Sequence, residues 1–315
     1  MTASPPQRLL LGAAFIIAGE FCFASMGVGI RVVSAELPNE MIVFGRNLIG
    51  LLILAPWLLR RGIRDVRTRV PGLHLLRAAA GVSAMYCFFY ALANMPLAEA
   101  MLLKLTAPVF MPLIAMLWLH EQVTALLWAA LGIGFAGVLL ILDPQLGGAG
   151  AGALAGVSPV ALIGLAGGLL AALAKVTVRR LSRTEPPVRI VFYFALIAGL
   201  ISAVPLPWAW QTPSPAALLW IAAIGGCATL GQLALTRGLS LAPASRMGPF
   251  GYSAVVFGAG YGWLLWSEPL TWGMIGGSLL IAVAGILASR SRRPVRMPAR
   301  SAAGALPGAG GTRAS

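Results

Sequence analysis

The stretch from Pro96 to Thr124 returns in the second half of the chain as Pro243 to Thr271. Leu92, Pro96, Leu117, Glu121 and Thr124 are matched 147 positions later by Leu239, Pro243, Leu264, Glu268 and Thr271. Each copy is an apolar run closed by an acidic turn. The chain is therefore one unit written twice, and a fixed internal period sharply limits the folds open to it. A second alignment, offset by 148, agrees: Val43, Phe44, Leu48, Ile49, Leu52 and Ile53 recur as Val191, Phe192, Leu196, Ile197, Leu200 and Ile201. The Pro-to-Thr match carries more weight, because apolar residues make up 59% of the 315-residue chain and coincide easily.

The same composition excludes a water-soluble protein. Only 10% of residues are charged, against about 25% in average globular chains, and the mean hydropathy is +0.87. The lipid bilayer is the solvent. Apolar runs divide the chain into spans near 9–33, 41–59, 73–93, 97–119, 124–142, 157–178, 188–208, 216–237, 245–266 and 271–289. These are about the 17–25 residues that cross a bilayer core, and they are too long and continuous for barrel strands. Five spans per repeat is an odd number, so the second copy enters the membrane from the opposite side. The expected fold is an all-α integral membrane protein of ten transmembrane helices, built as two inverted-topology five-helix repeats. Residues 1–142 form the first repeat, 143–155 a Gly/Ala-rich linker and hinge, and 156–290 the second repeat. Residues 291–315 form a basic, disordered cytoplasmic tail.

The net charge of +14 would suggest nucleic acid if it lay along one face. It does not. Arg60, Arg61, Arg64, Arg67, Arg69 and Arg77 follow the second span; Arg179, Arg180, Arg183 and Arg189 the sixth; Arg237 and Arg246 the eighth; and Arg290, Arg292, Arg293, Arg296, Arg300 and Arg313 the tenth. The intervening connections hold little more than Arg31, so the positive-inside rule puts both termini in the cytoplasm, with the chain in the cell inner membrane. The apolar run after Arg8 is too long for a cleaved signal and is expected to stay as the first span. Cys22, Cys87 and Cys227 each fall within a span, which indicates neither a disulfide framework nor a thiol metal site.

The run Tyr90-Ala91-Leu92-Ala93-Asn94-Met95-Pro96-Leu97-Ala98-Glu99-Ala100 and the later Leu119-His120-Glu121-Gln122-Val123-Thr124 have counterparts in Ala244-Ser245-Arg246 and Ser267-Glu268-Pro269-Leu270-Thr271. Together they resemble the EamA repeats of the drug/metabolite transporter superfamily, over about residues 9–289. His120 and Ser267 stand where that pattern usually has glycine. The resemblance implies an inverted-repeat secondary transporter of small metabolites, frequently an exporter of amino acids or related compounds such as opine-like chelators. A vitamin or nucleoside importer is the alternative. The chain has no Gly-x-x-x-x-Gly-Lys-Ser/Thr loop to cradle nucleotide phosphates, so uphill transport must draw on an ion or counter-substrate gradient. Protons are the coupling candidate. A membrane enzyme would need clustered nucleophiles or paired acids at one interface, whereas His74 and His120 stand alone. No catalytic residue, metal or cofactor is assigned, and a homodimer is left open.

In such transporters the substrate lies near the midplane, where ionisable residues are the default candidates. Glu20, mid-span, fits a proton carrier or a ligand for a substrate ammonium; a structural hydrogen bond fits equally. Lys104 is its expected counter-ion. Arg46 is expected to pair with Glu36 or Glu40, and Lys175 to anchor the inner end of the sixth span. Ser83, Tyr86, Tyr90 and Asn94 share one helical face, as do Thr229, Gln232, Thr236 and Ser240. Both stripes are read as path-lining, with Tyr252 contributing from the ninth span. Glu121 and Glu268 are read as structural acids at the N-termini of the helices that follow them, on opposite membrane sides. Gly164 and Gly168, and Gly258, Gly260 and Gly262, are read as close-packing faces.

Overall fold

The computed structural model describes residues 5–61, 67–94, 103–146, 159–267 and 271–290. Among them are ten helices of 13 residues or more: α1 Pro5–Val33, α2 Asn39–Arg61, α3 Pro71–Asn94, α4 Ala107–Leu119, α5 Ala125–Leu146, α6 Pro159–Leu181, α7 Pro187–Ala203, α8 Pro215–Leu241, α9 Ser253–Trp266 and α10 Trp272–Arg290. Proline opens α3, α6, α7 and α8, where its missing N–H costs nothing and its fixed φ suits the first turn. Five helices are long and apolar enough to cross a membrane by length and composition: Gln7–Val33, Asn39–Trp57, Leu162–Leu181, Pro215–Leu241 and Trp272–Arg290. Ala107–Leu119, Ala125–Leu140 and Pro187–Ala203 are shorter apolar helices. Large apolar side chains cover the outside, as with Leu117 (75% exposed) and Leu219 (74% exposed), which suits a surface solvated by lipid. Most of the linker and all of the basic tail expected from the sequence lie outside the described residues.

The two copies of the Pro-to-Thr segment agree at the matched residues that are described in both. His120 and Ser267 both adopt left-handed backbone, with φ 54° and 53°. That conformation favours glycine, which explains the residue the family pattern usually carries there. Thr124 Oγ1 then accepts the Leu127 N–H at 3.2 Å, and Thr271 Oγ1 the Met274 N–H at 3.2 Å. Threonine caps the helix that follows. The acid does something else. Glu121 accepts the N–H groups of Ala244 (3.1 Å) and Ser245 (3.0 Å) and the Ser245 hydroxyl (2.8 Å), with Arg179 Nε 3.8 Å away. It thus caps the short helix Ala244–Met247 of the opposite repeat, not its own. Glu268 lies outside the described residues.

Antiparallel contacts between matched helices give the inversion directly. Along α2 and α7, Asn47 meets Gly199, Gly50 meets Ala195, and Leu54 packs with Val191. Along α5 and α10, Gly134 meets Ala284, Gly137 meets Gly277, and Leu140 meets Gly273. Rising numbers on one helix face falling numbers on its repeat partner, so equivalent helices run in opposite directions. The remaining packing exchanges under the same two-fold operation: α1 on α8 mirrors α6 on α3, α2 on α8 mirrors α7 on α3, and α6 on α4 mirrors α1 on α9. The repeats consequently interleave; they do not form two separate halves closing on a site.

Glycine sets how closely they interleave. A Cβ on Gly137 would stand 2.7 Å from Gly277 O, and one on Gly238 2.8 Å from Gly12 O. In a bilayer, where lipid tails are as apolar as leucine, such backbone contact is a main source of helix association. Gly164 and Gly168 receive Leu103 and its turn. Gly258 and Gly260, by contrast, face open space; they are not the packing surface the sequence suggested.

The expected fourth and ninth spans are both discontinuous. Leu103–Lys104 is separated from α4 by a turn, and Ala244–Met247 is followed by a 3₁₀ segment, Gly248–Tyr252, before α9 begins. Pro249 cannot donate to a helix ladder and two glycines weaken it further, so the backbone tightens locally. Thr106 Oγ1 donates to Leu103 O (2.5 Å) and Ser253 Oγ to Phe250 O (2.8 Å), the same repair at equivalent positions. Irregular backbone at membrane depth is tolerated only inside protein or against a wet cavity. Here the ninth span's irregular turn lies against Glu20 and Lys175.

Candidate functional site

Glu20 is 6% exposed, and its partner is Lys175, with Nζ 3.4 Å from Oε1. Lys175 is therefore not an interfacial anchor. Its aliphatic stem runs from α6 into the core, and the ammonium meets α1. The broken ninth span completes the surroundings: a Cβ on Gly251 would be 3.7 Å from Glu20 Oε1 and 3.8 Å from Lys175 Nζ. Lys104 does not bond Glu20. Its Nζ lies 4.7 Å from the Phe88 ring centroid, within electrostatic reach of Glu20, Lys175 and Arg46. The carboxylate is the buried partner, with its side chain 8% exposed, whereas the Lys175 side chain is 24% exposed. The pair joins α1 to α6.

A second polar group lies between α2, α3, α7 and α8. Arg77, expected in the basic connection after the second span, is instead 5% exposed within α3. It donates from Nη2 to Gln232 Oε1 at 2.9 Å, and its guanidinium carbon lies 4.0 Å from the Phe194 ring centroid. Its Nε is buried without an acceptor among the described residues. Arg46 reaches neither Glu36 nor Glu40; its contact is Met85 Sδ at 3.8 Å. It lines a narrow cleft with Asn47, Gly50, Phe194, Thr229 and Gln232. Glu36 holds Ser214 across the neighbouring connections (2.7 and 2.9 Å), and Glu185 holds Thr68 (2.7 Å) in the equivalent place.

The two expected stripes fare differently. On α8, Thr229, Gln232 and Thr236 face the interior; Thr229 bonds Gly225 O, and the Thr236 hydroxyl is buried without a partner among the described residues. Ser240 bonds Arg237 O. On α3, Ser83, Tyr86, Tyr90 and Asn94 occupy the exposed face, roughly opposite Arg77 by helical spacing. Asn94 Nδ2 donates to Tyr90 O at 2.8 Å. No described hydrogen bond or ring contact links this stripe to Glu20 or Gln232. Tyr252 is fully buried among Leu131, Val138 and Ile281, as a packing residue in this state.

Arg46, Arg77, Lys104 and Lys175 are the charged residues whose partners or placement the sequence misjudged. A usable signal was present in the repeat itself. At an offset of 148, Glu20 matches Gly168, Arg46 matches Phe194 and Lys175 matches Gly27; at 147, Lys104 matches Gly251. Charge in one copy opposite glycine or an aromatic ring in the other marks a position that symmetry does not require.

Interleaved inverted repeats, broken helices and a buried carboxylate paired with a lysine beside the break define a membrane transporter. The chain belongs to the EamA-like transporter family, whose model matches residues 10–143 and 158–290. It is 35% identical over 285 residues to a pseudopaline exporter of Pseudomonas aeruginosa, covering 90% of this chain and 97% of that one. It is 26% identical over 301 residues to a riboflavin transporter of Rhizobium johnstonii, covering 94% and 97%. A solved crystal structure shares the fold at a TM-score of 0.74 with 19% identity, covering 89% of this chain and 96% of that one. The protein is a multi-pass membrane transporter of small metabolites.

Proposed function

We propose that the protein exports an amino acid or amino-acid-derived metabolite, including opine-like chelators, by alternating access. All ten helices cross the cell inner membrane, with both termini in the cytoplasm. The observation that carries the reading is the Glu20–Lys175 pair, which joins α1 of one repeat to α6 of the other beside the broken ninth span. An incoming proton or substrate ammonium competes with Lys175 for Glu20. Releasing that cross-repeat tie alters the contact between α1 and α6, which is the element such a carrier must move. The similarity to a pseudopaline exporter supports outward transport; the similarity to a riboflavin transporter favours, as second reading, import of a larger metabolite.

Untargeted metabolite analysis of cells lacking or overproducing the protein tests this, followed by flux of the identified compound in proteoliposomes. A compound retained in the deletion strain and released faster on overproduction supports export. Uptake that rises on overproduction selects the second reading. Folded protein that moves no such compound under an imposed proton gradient overturns both.

A further inference from the structure

His74, in the first turn of α3, is a buried titratable group that the transport reading does not use. It is 1% exposed, and neither ring nitrogen has a hydrogen-bond partner among the described residues. A neutral imidazole has one N–H and one acceptor nitrogen, so a donor and an acceptor are both buried unmatched, which is unfavourable. An apolar ring would pack against Tyr193, whose centroid lies 4.4 Å from that of the imidazole, without that cost. Packing does not account for a histidine here.

Its neighbours do. Glu185, Arg189 and Tyr193 follow one another at intervals of four from the α6–α7 connection into α7. Glu185, 6% exposed, pairs with Arg189 and accepts the Thr68 hydroxyl at 2.7 Å; Thr68 Oγ1 in turn accepts the Val70 N–H at 3.0 Å, at the start of α3. A buried carboxylate thus ties the α2–α3 connection of one repeat to the α6–α7 connection of the other. Glu185 and Arg189 are the charges within electrostatic reach of His74. Arg77, a turn further along α3, is directed to Phe194 and Gln232. On α6, the other helix packed along α3, Lys175 meets Glu20, and Arg179 meets Glu121 and the carbonyls of Leu239 and Ser240. Arg67, Arg69, Arg180 and Arg183 are exposed at the same end.

The opposite face carries an equivalent tie, between Glu36 and Ser214, without the histidine. Thr68 matches Ser214 at an offset of 146, and at that offset His74 matches Trp220. Glu185 matches Glu36 at an offset of 149, where Arg189 matches Glu40, so the neighbouring charge is reversed as well. A group that acts on one tie alone biases one face of the carrier against the other.

We propose that His74 is a proton-operated release of the Glu185–Thr68 tie, which frees the connections at that face while the Glu36–Ser214 tie still holds the other. Protonation gives the ring a donor on each nitrogen and a positive charge. That charge attracts Glu185 and repels Arg189, so the carboxylate turns to the ring and Thr68 loses its acceptor. Loss of the proton restores the tie. With the topology of the transport reading, on which this clause rests, the face is cytoplasmic and the release answers to internal pH.

Pulsed electron–electron resonance on the full-length protein in detergent tests the release without requiring flux or a known orientation. Nitroxide labels are placed at Arg67→Cys and Thr184→Cys, one on each connection, with Cys22, Cys87 and Cys227 replaced by serine. The ratio of long to short label distances is expected to rise about tenfold between about pH 8 and about pH 5.5. His74→Phe keeps a ring against Tyr193 but takes no proton, and is expected to hold the short distance at both pH values. Glu185→Gln is expected to lose the response too, since the imidazolium then has no carboxylate to draw. If His74→Phe does not fold, His74→Gln carries the test. An unchanged pH response in the His74 variant, or none in the parent protein, overturns the proposal. A response that depends on His74, in a protein that moves no metabolite, defeats the transport reading alone; flux without the response defeats the release alone.

Discussion

Replacing Glu121 separates a cap on its own helix from a clamp between the repeats. If the carboxylate merely favoured the helix dipole after it, Glu121→Ala would cost about 0.3–1 kcal/mol. In the structure it accepts three hydrogen bonds from Ala244 and Ser245 and stands 3.8 Å from Arg179. Hydrogen bonds to a charged acceptor contribute roughly 1.5–3 kcal/mol each, but are not additive. The residues left without an acceptor, Ala244 and Ser245, are fully buried. The expected loss is therefore about 3–5 kcal/mol, the range for stranding one side of a buried charged network. Thr124→Ala, which removes the real cap of α5, should cost only about 1 kcal/mol. Equilibrium unfolding in mixed micelles, followed by circular dichroism, measures both. A Glu121→Ala, Ser245→Ala double-mutant cycle should give a coupling of about 1–2 kcal/mol. A Glu121→Ala loss no larger than that of Thr124→Ala, or no coupling to Ser245, would refute the clamp. The effect should extend to function, because the clamped helix leads into the 3₁₀ segment that sets Gly251 against Glu20 and Lys175.

Glu20→Gln is expected to abolish proton-coupled flux while leaving the protein folded; undiminished coupled transport across pH would remove Glu20 as the proton carrier. His120→Gly should stabilise the protein by about 0.5–1 kcal/mol, since the left-handed turn no longer carries a Cβ penalty, and the same unfolding assay reads it. Gly137→Ala should destabilise by about 1–3 kcal/mol, because the new methyl meets Gly277 O at 2.7 Å. Gly132→Ala in the same helix, with nothing within 4 Å, should be neutral or mildly stabilising, and equal losses at the two sites would contradict the α5–α10 contact.

Much of the architecture was legible because a bilayer imposes it on sequence. Span length, the low charge content and the odd number of spans per repeat all follow from crossing hydrocarbon, and they foretold an all-helical inverted repeat before any contact was known. That Glu20 would need a partner was legible for the same reason, a carboxylate in mid-span being too costly to leave alone, and it is buried beside Lys175. The Pro-to-Thr echo likewise marked two equivalent left-handed residues, His120 and Ser267.

Partnership was not legible, since it depends on which helix faces which. The two-fold operation brings α6 against α4 and α3, and α1 against α8 and α9, so Glu20 finds Lys175 rather than Lys104. Glu121 finds a helix 123 residues away along the chain. Arg77 is indistinguishable in sequence from the loop arginines before it. Its position one and a half turns inside α3 places it opposite Gln232, and a difference of a few residues along a helix decides between water and the core. Sequence alone determined the membrane, the duplication and the inversion, because each is written in local composition and period. Only tertiary structure decided which charges are buried and which of them meet, because that is settled between side chains that the chain itself keeps far apart.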